Sequence, residues 1–148
     1  MGHSYICNRL HVVFSTQERL KQIDKSIQPR LWAYMAGVAR NHDLPVHALN
    51  GVEDHVHILF SVPGTINVSK AVQIVKANSS KWMRQNGIPK FAWQEGFGAF
   101  SVSESNVTAV VQYVEQQEAH HRKQGFEAEF VALLKRHNVP YDPKYVFG

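Results

Sequence analysis

Cysteine is nearly absent: Cys7 is the only one in 148 residues. No disulfide can form within the chain and no thiolate cluster can hold zinc, which fits a reducing compartment. Long apolar runs are missing too, so no bilayer-spanning segment is expected, and no signal peptide is visible. No internal repeat or low-complexity linker divides the chain. One domain, residues 1–148, with a core large enough to fold alone is expected, in the cytoplasm. Acidic residues are the scarcer charge, 12 against 16 Lys and Arg, giving a net charge of +4 and a pI near 9.3. That balance favours a polyanionic partner.

The hydrophobic 44% of the residues falls into readable periods. Strands are predicted over Tyr5 to Ser15, Pro45 to Gly51, His55 to Val62 and Gly98 to Ser103. Helices are predicted over Gln28 to His42, Asn67 to Gln85, Ser105 to Gln124 and Phe126 to His137. Ile88 to Gly98 reads as a mobile loop. The order β-α-β-β-α-β-α predicts an α+β, ferredoxin-like split βαβ fold. Its sheet is expected to be antiparallel, with helices on one face and an extra C-terminal helix.

Two constellations carry chemistry. In Asp54-His55-Val56-His57-Ile58-Leu59-Phe60, the histidines alternate with core residues, so both leave the strand on one face. Imidazoles so placed can converge on one metal ion, or simply hydrogen-bond on a half-buried sheet face. In the third helix, Val107, Val110, Val111 and Val114 share a face. Tyr113 lies roughly 120° from its centre and Gln117 roughly 80°. As i and i+4 these two are neighbours on the helix surface. Tyr113 is either an aromatic covering the core edge or a functional phenol, and the Gln117 carbonyl could bind a hard cation.

Further blocks extend the pattern: His11-Val12-Val13-Phe14-Ser15-Thr16, Lys76 with Ser79-Ser80-Lys81-Trp82, Trp93 to Ser103, Tyr113 to His121, and Tyr141-Asp142 with Tyr145. With these in order, the chain resembles the small single-tyrosine transposases of the HUH class, the IS200-like family of insertion sequences. The resemblance covers nearly the whole chain. Phe97 and Gln17 depart from it, where tyrosine and lysine are common. It implies that His55 and His57 bind a metal, that Gln117 is the third ligand, and that Tyr113 is the nucleophile, with magnesium or manganese as the ion. It further implies cleavage and rejoining of single-stranded DNA through a 5′-phosphotyrosine, recognition of hairpins at element ends, and a homodimer with composite sites in trans. The protein would be nucleoid-associated when bound to DNA.

On the second helix, Lys70, Lys81 and Arg84 fall opposite the apolar face, with Lys76 on the flank. They read as DNA-phosphate contacts or as solubilising charge. His120 and His121, adjacent on a helix, diverge by about 100° and cannot both face one site. His11 reads equally well as a core residue. The alternative function is a catalytically silent, domesticated single-stranded DNA-binding protein on the same fold.

Overall fold

A computed structural model describes residues 2–119 and 125–147. Four strands form one antiparallel sheet in the order β2-β3-β1-β4: β1 Arg9–Ser15, β2 Val46–Gly51, β3 His55–Ser61 and β4 Gly98–Val102. The helices are α1 Gln28–Asn41, α2 Val68–Gln85, α3 Val107–Glu115 and α4 Phe126–Arg136. The split βαβ order is the one predicted.

Side-chain alternation divides the core between the two sheet faces. Leu10, Val12 and Phe14 of β1 and Val56, Ile58 and Phe60 of β3 pack under α1 and α2. α1 contributes Leu31, Met35 and Ala39 at four-residue spacing, the stripe of an amphipathic helix. The Asn67 side chain caps α2 by accepting from the Lys70 backbone N–H at 2.7 Å, which satisfies one orphan donor of the first turn. Gly87, at φ 102°, follows the end of α2, in a backbone region where glycine carries no Cβ penalty.

The helices, expected on one face, cover both, because alternation along β1 and β3 leaves apolar side chains on each side: the extra C-terminal helix is present and, with α3, covers the opposite face. Val114 with Val107, Val110 and Val111 of α3 packs on Leu59 and Ala48. Phe126, Phe130, Leu133 and Leu134 of α4 pack on Val13 and Phe100. His11, His55 and His57 lie on that second face, beneath α3 and α4. At the β2–β3 turn the chain passes so close to itself that a Cβ on Gly51 would stand 2.3 Å from the His55 carbonyl oxygen.

Three further expectations are revised. β1 begins at Arg9 rather than Tyr5, because Arg9 pairs with Ser61, the last residue of β3; Tyr5 and Ile6 lie exposed. The third helix starts at Val107, after a 3-10 turn at Glu104–Asn106, and breaks at Gln116 (φ −100°, ψ 27°). The stretch before β4 is anchored rather than loose. Trp93 is buried, bridges to Thr16 and donates its indole N–H to Ser79 Oγ at 2.9 Å. Among the described residues no helix is long and apolar enough to cross a membrane.

Candidate active site

His55 and His57 sit at the start of β3, where β-branched and aromatic neighbours favour a strand and alternation turns both imidazoles to the α3–α4 side. Both are buried, at 1% and 0% exposure. Each Nδ1 is engaged: His55 Nδ1 with Asp54 Oδ1 at 2.7 Å, and His57 Nδ1 with His11 Nε2 at 2.7 Å. Such partners fix ring orientation and tautomer, as second contacts of metal-binding histidines do. Both Nε2 atoms then point to one acceptor, Glu129 Oε1, at 3.2 Å from His55 and 3.0 Å from His57.

Glu129 comes from α4 and is itself 3% exposed. α4 is amphipathic, and its apolar stripe of Phe126, Phe130 and Leu133 carries Glu129 inward with it. Outside the stripe, Glu127 Oε1 pairs with Arg19 Nε at 2.8 Å and ties α4 to the β1–α1 connection. The second Glu129 oxygen accepts the Tyr113 hydroxyl. The Tyr113 ring centroid lies 5.7 Å from that of His57 and 5.9 Å from that of His11.

Gln117 follows the break in α3. Its amide donates to the Tyr113 carbonyl at 3.2 Å, and its Oε1 stands 3.4 Å from His55 Nε2. Asn50 of β2 donates to the Glu115 carbonyl at 3.0 Å, which pins the end of α3 beside the histidine strand.

The electrostatics follow from this packing. Burial opposes charge on His55, but its bonds to Asp54 and Glu129 prevail and raise it to about 9. Burial likewise opposes charge on Glu129, but bonds from His55, His57 and Tyr113 hold it far below the usual carboxylate range. Burial, then the Glu129 bond and charge, push the Tyr113 phenol well above its ordinary value. Burial and the neighbouring His57 keep His11 well below the normal histidine value, so it is neutral and shares a hydrogen bond with His57 Nδ1. The metal-free site therefore holds a charged His55, an anionic Glu129 and a protonated Tyr113.

The donor set suits a divalent cation. One ligand atom from each of His55, His57 and Glu129 lies within 4.8 Å of the others, and Gln117 Oε1 adds a fourth. Donors about 2.1 Å from a common centre stand roughly 3 Å apart, near the separations found here. Two imidazoles, a carboxylate and an amide oxygen form a mixed nitrogen–oxygen set without thiolate, compatible with hard or borderline ions.

The sequence profile described as transposase IS200 like matches residues 5–117. The chain belongs to that family. Two solved structures share its fold. A candidate transposase from Deinococcus radiodurans R1 is 22% identical, with a TM-score of 0.63 over 79% of this chain and 96% of that one. A REP-associated tyrosine transposase bound to a REP hairpin is 16% identical, with a TM-score of 0.60 over 82% and 74%. No curated protein gives a significant match.

For this IS200-like transposase, the structure brings His55, His57, Gln117 and Tyr113 into one cluster. It adds Glu129, His11 and Asp54, of which Glu129 lies beyond the residues that the family profile matches. An acid on the apolar stripe of the last helix was the available signal. Lys70, Lys76, Lys81 and Arg84 lie on α2, on the other side of the sheet. Lys70, Lys81 and Arg84 are exposed, and Arg84 donates to the Phe91 carbonyl at 3.3 Å. Lys76 Nζ donates to the carbonyls of Gln94, Glu95 and Gly96 at 2.5, 3.2 and 3.0 Å, and burial lowers it to about 8. In this arrangement Lys76 clamps a loop. Within one chain Tyr113 stands beside the histidine pair, because the valine face of α3 docks on β2 and β3. His120 and His121 lie outside the described residues.

Proposed function

We propose that this transposase cleaves and rejoins single-stranded DNA through a covalent bond between Tyr113 and a 5′ phosphate. The observation that carries the reading is the shared carboxylate: buried Glu129 joins the half-buried Tyr113 hydroxyl to both buried histidines in one cluster. In cleavage the Tyr113 oxygen forms a bond to phosphorus while the bond from phosphorus to the 3′ oxygen breaks. The phenolic proton leaves across its hydrogen bond to Glu129 Oε2 and ends on the departing 3′ oxygen, so the carboxylate relays the proton and remains anionic. Rejoining reverses these steps with an incoming 3′ hydroxyl. The phosphodiester energy is conserved in the covalent link, so no nucleotide cofactor is needed.

His55, His57, Glu129 and Gln117 would hold magnesium or manganese. The ion would supply positive charge against the phosphate oxygens as negative charge builds there. His11 and Asp54 orient the two imidazoles, and Gln117 also holds the Tyr113 end of α3. Lys70, Lys81 and Arg84 provide a phosphate-tracking stripe for DNA outside the reacting bond. The hairpin held by the REP-associated relative supports a hairpin-bearing substrate here. The arrangement of α3 supports a site built within one chain, in a homodimer of the kind the family implies.

The test is a covalent-adduct assay with single-stranded, hairpin-bearing DNA from the flanks of the protein's own gene. With manganese or magnesium, a shifted band on a denaturing gel is expected. It should vanish with EDTA and with Tyr113→Phe. Tight hairpin binding and full metal occupancy without an adduct would instead establish the silent DNA-binding reading.

A further inference from the structure

A groove of about 400 Å³ opens between α3 and α4 and reaches Tyr113 and Glu129. Val110 and Leu133 give it apolar walls, and Arg136 and His137 line it at the end of α4. His137 is fixed there: its Nδ1 donates to the Leu133 carbonyl at 2.9 Å, and its ring stacks on Phe100 with centroids 4.6 Å apart. Arg136 forms no ion pair among the described residues.

A cation at the last turn of a helix also complements the helix dipole. Lys135 occupies the same turn and does so equally, yet it does not line the groove. The dipole therefore does not account for Arg136, rather than Lys135, lining the groove that reaches Tyr113. The carboxylate in the groove is already paired with His55 and His57 at 3.2 and 3.0 Å, which leaves Arg136 as the uncompensated charge. Apolar walls with a cation at one end match a nucleotide, whose sugar and base offer apolar surface and whose phosphate takes a guanidinium with paired N–H donors. α4 lies beyond the segment matched by the family profile, so this wall is a feature of the chain's own C-terminal part.

We infer that the α3–α4 groove is a nucleotide subsite, taking the single-strand nucleotide next to the bond that Tyr113 attacks, with the neighbouring phosphate on Arg136. This rests on the strand-transfer reading above and adds to it a position on the DNA.

The test measures binding apart from chemistry. Tyr113→Phe protein is titrated against fluorescein-labelled single-stranded DNA from the gene's flanks over a series of salt concentrations. Arg136→Gln should weaken binding about tenfold, the loss of one charge-assisted contact, and flatten the plot of log affinity against log salt by about 0.7. Arg136→Lys should restore the slope, and Lys135→Gln should leave it unchanged. A methylphosphonate at the phosphate beside the cleaved bond should weaken the parent by the same factor and add nothing to Arg136→Gln. Equal affinity and slope for parent and Arg136→Gln, or additive losses from the variant and the methylphosphonate, overturn the subsite. An adduct on Tyr113 without any Arg136 effect would sink this inference and leave strand transfer standing. An Arg136-dependent slope without an adduct would do the reverse.

Discussion

Replacing Glu129 by glutamine removes the carboxylate that touches His55, His57 and Tyr113 at once. Its side chain is 4% exposed, so solvent cannot substitute for it. Breaking one side of a buried ion pair costs about 3–5 kcal/mol. Asp54 remains bonded to His55, which places the expected loss near about 3 kcal/mol. For a domain of this size that lowers the melting temperature by roughly 6–12 °C. The same change should lower the pH at which Tyr113 ionises, because the Glu129 bond and charge both favour the phenol; burial persists, so the value stays above the ordinary one. Melting in EDTA gives the first quantity. Phenolate absorbance across pH, with Tyr113→Phe subtracted to remove the other tyrosines, gives the second. A Glu129→Gln protein with parental melting and a parental Tyr113 titration would refute the shared-carboxylate cluster.

Other predictions follow from the same packing. In the metal-free chain His55 is raised to about 9, so its pairing stabilises the fold fully below the ordinary histidine value, about 6.5, and that stability fades as pH rises through 9. Metal must displace this proton, so affinity measured by calorimetry should rise about tenfold per pH unit up to about 9 and then level off; a flat profile from pH 7 to 9 would contradict a charged His55. Mixing His57→Ala and Tyr113→Phe chains should restore no adduct if the site forms within one chain, whereas recovered activity in verified heterodimers would show exchange between chains. Lys76→Gln should lower stability by about 1.5–3 kcal/mol, the scale of bonds from a charged group to three carbonyls; chemical denaturation checks it, and unchanged stability with weakened DNA binding would return Lys76 to a phosphate-contacting role.

Much of this was legible in the sequence for physical reasons. Alternation along β3 put His55 and His57 on one face, and the valine spacing of α3 put Tyr113 and Gln117 beside each other. Gln117 reached His55 although the helix breaks at Gln116. Glu129 was harder to see because its histidine partners lie 72 to 74 residues earlier and its helix had to be docked before they could meet. His11 depended on strand register: it pairs across from Leu59, two positions from His57 on the same face, and nothing local specifies that alignment. The Lys70, Lys81 and Arg84 stripe was read correctly as a helix face, but periodicity does not say which side of the sheet a helix covers. Lys76 shows the same limit: a basic flank residue became a backbone clamp only through the fold of residues 94–96.

The most direct measurement is mass spectrometry of the protease-digested covalent adduct, formed with manganese and flank DNA. The account predicts the nucleotide on the peptide containing Tyr113, joined through a 5′ phosphate, with a free 3′ hydroxyl on the released strand that a polymerase can extend. A 3′-phosphate linkage, an adduct on any other residue, or cleavage that leaves no protein-bound strand would contradict it.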